Sequence, residues 1–523
     1  MSIEFWVLRL IVSSNTLGVR LLLRLRCVST RVRALALTNI YNKTSISLPQ
    51  ENIQCDRLPV LAPYLNPSVK LILALNQTLR SSSKCEEVVR QITLFPTETS
   101  INFTQTNVTI PRRLRRLVLS RLHSRLITVE STFYDLVQHK HIFPKAEYLA
   151  LSLYSIHDIV RLNEVFYLFP NIHELKLTVC CNNQENLDNL FSFLVNSVDQ
   201  KEILRHLKSF TLTPNGCKEQ YTEIHPLSQV LSKLGRLKSL EVKMTHADVV
   251  DCILQPSMKN LQSLSLAEIT VSSLSYIGTS LRSISGRVVD QNDVFEYLPQ
   301  LQKLETISFV LDSIQPAFQH ISRLKKLKKL NIVCISKVSG VDFNKCLLKG
   351  LPLSLDYLRL SMSLPAEIFA LLKFLKLSEL HLVNESDKSG FYSSNLVDFL
   401  SCNPFLSCLS LTNFMCPLPS STISRRIDLK SLVITHSIFA SSLLRDVIRN
   451  ASCLERLEMP SSPVFVNDEL VKLIEQSRIS SLFFDSYQDS EGESDRLFNV
   501  LENRVMRTIP FKTIRNRDGG IQI

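Results

Sequence analysis

The sequence predicts an α/β solenoid, in which short strand–turn–helix units repeat along the chain and stack on one another. Three observations support this fold class. An apolar motif with strand spacing recurs at a bounded period, and segments between its copies have helical spacing. The 523 residues are also 45% hydrophobic with only 11 glycines, which indicates a core-forming chain and does not favour glycine-rich phosphate loops.

The motif consists of three apolar residues, the second three positions after the first and the third two positions later. A clean copy is Leu114, Leu117 and Leu119, and the steps between copies run from 20 to 35 residues. One copy is degraded, since Gly286 takes its third place. The fifteen first positions are Leu114, Ala146, Ile172, Leu207, Leu237, Leu261, Leu281, Leu304, Leu327, Leu355, Leu377, Leu406, Leu429, Leu454 and Ile479.

Between the motifs, apolar residues at helical spacing predict helices. The segment Asn186–Val198 is an example, and similar spacing occurs at Leu396–Leu400 and Leu443–Ile448. This period and pattern resemble those of leucine-rich-repeat proteins. The resemblance implies a horseshoe with a parallel sheet on its concave face, helices outside, and a small helical N-terminal region. The Asn or Cys usual at the end of each repeat strand occurs at Cys180 and Asn215 and seldom elsewhere, so we expect irregular turns.

The segment from Leu22 to Leu35 alternates leucine with arginine and continues through Val28-Ser29 to Arg33-Ala34-Leu35. It resembles the second half of an F-box, although Val32 stands where that family usually has Trp and the Leu-Pro opening is absent. F-box proteins are substrate receptors of cullin-type ubiquitin ligases. The resemblance implies that an adaptor contacts Leu8, Ile11, Leu22, Leu25, Val28, Val32 and Leu35. The alternative is a plain N-terminal cap, which a repeat array also needs.

The predicted organisation has four parts. Residues 1–40 form the F-box-like segment or cap, 41–110 a linker or irregular early repeats, 111–485 the repeat array, and 486–523 a C-terminal cap and charged tail. Residues 1–130 hold 18 Lys and Arg against 7 Asp and Glu, out of a net charge of +12. This basic region either meets an acidic partner, an anionic membrane or RNA, or is a solvated surface.

Localisation has two interpretations. No apolar run is long enough to span a membrane, and we expect a cytoplasmic or nuclear protein. The arginine-rich, acid-poor start of the chain is also typical of a mitochondrial presequence. The basic run Arg323–Leu330 could direct nuclear import, but its leucines belong to a repeat, so its lysines more simply form a solvated face.

No catalytic spacing is present, so we expect neither an enzyme nor a cofactor. Asp135, His139 and His141 lie close in sequence without a further ligand, and we interpret the two histidines as surface residues rather than part of a metal site. The 13 cysteines include no C-x-x-C pair. Cys402 and its neighbours Cys408 and Cys416 are therefore interpreted as packed thiols.

Residues between the strand leucines should point into the concave groove, because side chains alternate across a strand. Their charges are mixed, which favours a protein or peptide ligand over a nucleic acid. The sequence therefore predicts a protein-binding scaffold, in the first hypothesis the substrate receptor of a ubiquitin ligase and in the alternative a scaffold with no such link. The candidate groove residues are Arg116, Tyr148, Lys176, Glu241, Lys329, Asn331, Tyr357, Arg359, Glu379, His381, Arg456 and Glu458.

Overall fold

The computed structural model divides the chain into an N-terminal unit, Met1–Asn260, and a C-terminal unit, Leu261–Ile523. It describes a few short segments before residue 126 and after residue 484, together with most of the chain between them. The described residues are 45–49, 70–74, 99–102, 119, 124, 126–180, 189–196, 204, 206–215, 225–243, 260–275, 279–335, 350–365, 367–385, 395–416, 422–423, 425–479, 481–484, 487–489, 514–515 and 521–522.

The N-terminal unit contains a ladder of parallel strands that pair in chain order. Each strand between β1 and β8 pairs with the strand of the preceding repeat and with that of the following repeat, as stacked repeats require. The ladder begins well before residue 111. Its strands are β1 (Ser45–Pro49), β2 (Lys70–Ala74), β3 (Thr99–Asn102), β4 (Leu126–Thr132), β5 (Tyr148–Leu153), β6 (Glu174–Cys180), β7 (Ser209–Asn215) and β8 (Ser239–Val242).

The C-terminal unit contains a second parallel ladder, again in chain order. Its strands are β9 (Ser263–Ile269), β10 (Ser283–Val288), β11 (Thr306–Leu311), β12 (Lys329–Cys334), β13 (Tyr357–Met362), β14 (Glu379–Asn384), β15 (Cys408–Thr412), β17 (Ser431–Thr435), β19 (Arg456–Met459) and β21 (Ser481–Phe484). Two small parallel pairs join β16 (Met415–Cys416) to β18 (Ile438–Phe439) and β20 (Val464–Val466) to β22 (Tyr487–Asp489). Near the C-terminus, β24 (Ile521–Gln522) pairs antiparallel with β21 and with β23 (Ile514–Arg515).

Short helices connect the strands. In the N-terminal unit they are α1 (Phe133–Val137), α2 (Ile156–Val160), α3 (Leu162–Phe166), the helical residues 189–196, and α4 (His225–Lys233). In the C-terminal unit they are α5 (Val271–Ser275), α6 (Gln291–Tyr297), α7 (Ile368–Leu372), α8 (Leu396–Cys402), α9 (Ser441–Asn450), α10 (Asp468–Gln476) and the 3-10 helices Leu298–Gln300 and Pro316–Arg323. The helices predicted from spacing at 186–198, 396–400 and 443–448 are thus confirmed within the described residues.

The motif explains where strands begin. In the fourteen copies from Ala146 to Ile479, the strand starts two residues after the first apolar position, as Thr306 does after Leu304. Apart from Gly286, the second and third positions are buried, and they stand opposite equivalent residues of the neighbouring strand, as Leu358 does opposite Leu380. Phe295 of α6 lies 6.1 Å from Phe309 of β11 between ring centroids, so the buried side of this sheet faces the helices. The α/β leucine-rich-repeat fold is confirmed.

The first copy of the motif is an exception. Leu119, its third position, is helical, whereas the strand that pairs with β5 is β4, at Leu126–Thr132. In that strand Val129 stands opposite Leu149, and Ser131 occupies the place of the third leucine, opposite Leu151. The structure thus contradicts a strand at Leu119, whereas Leu114 and Leu117 lie outside the described residues. A polar residue in the third position of β4 kept this repeat from matching the motif.

Backbone hydrogen bonds extend the ladder one residue ahead of each strand. The carbonyl of Arg282 accepts from the N–H groups of Glu305 and Thr306, at 2.7 and 2.9 Å. The carbonyl of Glu305 accepts in the same way from the next repeat. The turn before each of these strands is therefore hydrogen-bonded to the turn before its neighbour.

Gly286 lies at a β-bulge between β9 and β10, where the strand register shifts. Its φ is +153°, and a Cβ at this position would lie 2.2 Å from the carbonyl oxygen of Leu266. The same Cβ would be 3.1 Å from the side chain of Ile269, which fills the space that a third leucine would take. The degraded motif is thus a position that only glycine fits.

A polar ladder closes the ends of four strands in the C-terminal unit. The Asn413 amide donates to the carbonyl of Asn384, and the Phe414 N–H donates to Ser437 Oγ, at 3.0 and 2.9 Å. The Ser437 N–H in turn donates to Ser462 Oγ at 2.9 Å. Asn384, Ser437 and Ser462 are buried, so these bonds satisfy backbone groups that water does not reach.

The F-box-like residues Leu8, Ile11, Leu22, Leu25, Val28, Val32 and Leu35 lie outside the described residues, as does Arg116. Within the described part of the chain, no helix is long and apolar enough to cross a membrane.

We predict that Gly286→Ala destabilises the C-terminal unit by about 2 kcal/mol or more, since the added methyl meets a backbone carbonyl. Urea unfolding followed by circular dichroism measures this as a lowered midpoint. Gly235→Ala is the matched control, because a Cβ there has nothing within 4 Å. Equal midpoints for the two variants would contradict the account.

Candidate functional site

The side of the sheet away from the helices carries the residues between the buried leucines. In the C-terminal unit the strand register arranges them in two columns. The first residues of the strands form one column, in which Lys329, Tyr357 and Glu379 are successive neighbours. The third residues form the other column, in which Asn331, Arg359 and His381 are successive neighbours. We call these six residues of β12, β13 and β14 the sheet-face cluster.

Arg359 is the centre of the sheet-face cluster. Its side chain is exposed and hydrogen-bonds with Tyr357, and it has no carboxylate partner among the described residues. The rings of Tyr357 and His381 lie 5.2 Å apart between centroids. A guanidinium fixed beside two rings on adjacent strands presents unused donors in a defined direction.

Asn331 adds an acceptor next to Arg359. Its Nδ2 donates to Ser308 Oγ at 2.8 Å, which fixes the orientation of the amide. Its Oδ1 is inaccessible to solvent and accepts no hydrogen bond within the described part of the molecule. A buried amide oxygen without a donor costs free energy.

His381 is the titratable ring of the cluster. Burial lowers its pKa below 6.5, the nearby Glu379 carboxylate raises it, and the charge of Arg359 lowers it. The Glu379 Oε2 lies 3.7 Å from His381 Nε2. Because burial is the largest cause, we expect a neutral imidazole at pH 7.

Burial also raises the pKa of Tyr357, while the charge of Arg359 and its hydrogen bond lower it. The Tyr357 hydroxyl therefore stays protonated at neutral pH and is able to donate or accept a hydrogen bond.

The other predicted groove residues are placed as follows. Arg456 and Glu458 stand in the same two columns on β19, but they pair with each other through two hydrogen bonds of 2.8 Å. In the N-terminal unit, Tyr148 begins β5, and Lys176 and Glu241 occupy the third positions of β6 and β8. Glu241 lies 2.9 Å from Lys243 Nζ.

Sequence reasoning did not include Cys408 and Ser410, which continue the two columns directly after Glu379 and His381. Burial raises the pKa of the Cys408 thiol, with a further contribution from Glu379 and an opposing hydrogen bond to Ser431. Both residues alternate with the leucines of their motif, so the alternation of side chains along a strand predicts them on the sheet face. The sequence instead led us to interpret Cys408 as a packed thiol, and Ser410 was left out of the groove set.

The residues considered above as metal ligands lie apart from the sheet-face cluster and differ in their environments. Asp135 is buried and accepts a hydrogen bond from Thr132 Oγ1 at 2.9 Å. Cys402 is exposed at the end of α8, whereas Cys416 is buried and desolvation raises its pKa to about 12. Among the residues that the structure describes, no group of His, Cys, Asp and Glu could hold a metal ion.

We predict that the pKa of His381 lies below 6.5, that Glu379→Gln lowers it further, and that Arg359→Gln raises it. Because folding lowers this pKa, neutral His381 contributes stability above the unfolded value of about 6.5, and that contribution is lost as the pH falls. The imidazole proton resonance, assigned by its loss in His381→Gln, reports each midpoint. A pKa of His381 that rises in Glu379→Gln or falls in Arg359→Gln would contradict the assigned electrostatics.

No protein-family model matches the chain, and no curated protein is significantly similar to it. Solved structures similar to it include a leucine-rich-repeat protein of Leptospira interrogans, with 14% identity and a TM-score of 0.31, over 85% of this chain and 97% of that one. Another is TLR13 in its complex with ssRNA13, with 15% identity and a TM-score of 0.35, over 87% of this chain. This chain spans 62% of the TLR13 chain. Neither likeness bears on what this chain binds.

Proposed function

We propose that this chain is a protein-binding scaffold, and that the sheet-face cluster of the C-terminal unit contacts a segment of the partner. The observation that carries the proposal is Arg359, which is exposed beside two rings and lacks a carboxylate partner among the described residues. An arginine and a tyrosine on fixed backbone are typical anchors of a protein interface.

The charges of the cluster favour a polypeptide over a nucleic acid. Lys329 and Arg359 are positive, whereas Glu379 is an exposed carboxylate on the next strand. A phosphate backbone would be repelled at Glu379. A polypeptide can place a carboxylate on Arg359, leaving Glu379 for a basic or N–H group.

The sheet-face proposal predicts that single substitutions at Tyr357 or Arg359 abolish most of the binding. A random peptide library is panned against the intact chain, and the affinity of each selected peptide is measured by calorimetry. Tyr357→Ala and Arg359→Ala should each weaken binding by about tenfold or more, as expected for central anchors. Unfolding midpoints verify that both variants keep the fold.

Lys472→Ala is the matched control, because Lys472 is a basic residue on α10 and forms an exposed ion pair with Asp468. Selected peptides whose affinity is unchanged by both cluster substitutions would refute the sheet face as the binding site.

The finer proposal is that the chain is the substrate receptor of a cullin-type ubiquitin ligase. It is supported by the F-box-like sequence from Leu22 to Leu35. In this arrangement the N-terminal segment contacts an adaptor while the repeats hold the target. The alternative is a scaffold without a ligase, possible in mitochondria if the N-terminus is a presequence.

The ligase proposal predicts that the intact chain co-purifies with an adaptor and a cullin, and that a chain without residues 1–40 does not. Leu25→Asp with Val28→Asp is a smaller change that should have the same effect, since charges at these positions disrupt an apolar contact. If neither protein co-purifies with the intact chain, the ligase proposal is refuted.

Imaging of a C-terminal fusion tests the alternative. A mitochondrial pattern together with a shortened N-terminus supports the presequence.

A further inference from the structure

The turns that precede the strands β11, β12, β13, β14, β15 and β17 form a second surface of the C-terminal unit. Because parallel strands all begin at one edge of a sheet, these turns lie side by side along that edge. We call them the turn face. Its segments are residues 298–305, 321–328, 350–356, 372–378, 402–407 and 425–430.

Hydrogen bonds between neighbouring turns hold the turn face together. Ser354 Oγ donates to the carbonyl of Leu327 at 2.8 Å, and Ser378 Oγ donates to that of Asp356 at 2.9 Å. Further along, Ser407 Oγ donates to the carbonyl of Ser378 at 2.8 Å, and the Asp428 N–H donates to that of Pro404 at 2.7 Å. These bonds join each turn to its neighbour, and the turns repeat at the strand spacing of about 4.8 Å.

Three large apolar side chains project from consecutive turns of this face. Leu353, Phe374 and Phe405 are 76%, 70% and 73% exposed, the three highest values among the large hydrophobic residues described. They precede β13, β14 and β15, so their backbones span about 10 Å along the edge. Apolar side chains scattered singly are ordinary, but three on adjacent repeats form a patch.

Basic residues surround the apolar patch. The turn face holds ten Lys and Arg against three Asp and Glu, although the chain after residue 130 is nearly neutral overall. All ten are exposed, and none pairs with a carboxylate in the described part of the chain; Lys373 Nζ instead lies 4.9 Å from the ring centroid of Phe374. The ten are Lys303, Arg323, Lys325, Lys326, Lys328, Lys373, Lys376, Arg425, Arg426 and Lys430.

The opposite edge of the same sheet differs in charge. The described residues that directly follow β11, β12, β13 and β14 include Asp312 and Glu385. No lysine or arginine occurs in the described segments 312–315, 335, 363–365, 385, 413–416, 436–440 and 460–467. Among the described residues of the two edges, the positive charge therefore lies on the edge that also bears the apolar patch.

We propose that the turn face is a docking surface for an anionic lipid bilayer. Leu353, Phe374 and Phe405 enter the interfacial region, and the surrounding Lys and Arg contact lipid phosphate and carboxylate groups. Either contribution alone gives weak binding, whereas apolar insertion combined with a basic surface gives stable attachment. This surface is distinct from the sheet-face cluster and does not depend on its function.

The composition of the patch favours a bilayer over RNA or an acidic protein. RNA binding uses aromatic rings as stacking platforms, but Leu353 has no ring and is the most exposed of the three. A protein partner would require shaped pockets for these side chains, whereas a bilayer accepts projecting apolar groups from a flat edge. Charge complementarity is then met by anionic lipid headgroups.

The test uses the intact chain and sedimentation with vesicles. We expect binding to phosphatidylcholine vesicles containing about one third phosphatidylserine, and little binding to pure phosphatidylcholine. The triple variant Leu353→Ser, Phe374→Ser, Phe405→Ser should lower the partition coefficient by about tenfold or more even at low salt. The triple variant Lys325→Glu, Lys326→Glu, Lys373→Glu should lower it by a similar factor, and added salt should narrow the difference.

Matched controls lie elsewhere on the same unit. Ile335→Ser removes a 63% exposed apolar side chain from the opposite edge, and Lys472→Glu reverses a charge on α10. Both should leave vesicle binding unchanged, and unfolding midpoints verify that every variant is folded. Absence of binding to the anionic vesicles, or binding that the apolar triple variant retains in full, would overturn the proposal. Fluorescence anisotropy with an RNA oligonucleotide covers the other outcome, since tight RNA binding lost only in the charge variant would assign the turn face to nucleic acid.

Discussion

The stacking of one repeat on the next is the constraint on which the rest of this structure depends. A single strand and short helix cannot bury three apolar residues alone, so each unit is stable only when its leucines meet those of its neighbours. The register follows, because Leu358 can oppose Leu380 only if their strands start at equivalent positions. Once that register is set, the residues at any one position of successive repeats form a row across the strands. The sheet-face columns and the turn face are consequences of burying the leucines.

Much of the fold could be predicted because the leucines that define the register are visible in the sequence. The same logic explains the failures. In β4 the third position is Ser131, so the motif search selected Leu114–Leu119 instead. The sequence indicated that Gly286 was a degraded third position of the motif. In the structure Gly286 lies at a bulge where a side chain would meet the Leu266 carbonyl. The polar ladder was also missed. Ser437 and Ser462 accept backbone hydrogen bonds at positions where the repeat usually has asparagine or cysteine, so a search for those two residue types does not find them.

The sheet-face cluster could be predicted as a set of positions but not as a set of interactions. Alternation along a strand and the 4.8 Å spacing are enough to name Tyr357, Arg359 and His381 as neighbours. Which charges remain available is decided by side-chain geometry, which the sequence does not encode locally. Arg456 stands in the first-residue column and pairs with Glu458 two residues along its strand, whereas Arg359 stands in the third-residue column and has a serine at position 361. The turn face was overlooked for a related reason, since the lysines of Arg323–Leu330 were interpreted one repeat at a time. These lysines form a basic surface only together with the basic residues of the neighbouring turns.

The division of a repeat into rows also determines how its surfaces can evolve. Substitutions at the first and third strand positions change the sheet face without touching the leucines behind it, and those in the turns change the turn face without moving the strands. Both surfaces are tied to one backbone through the carbonyls that accept from two N–H groups of the next repeat. Distortion at one repeat is therefore transmitted mainly to its neighbours, and a distant repeat keeps its geometry. A chain built this way can carry a polypeptide site and a separate basic, apolar edge on the same unit. Each is tuned by residues that the fold itself does not require.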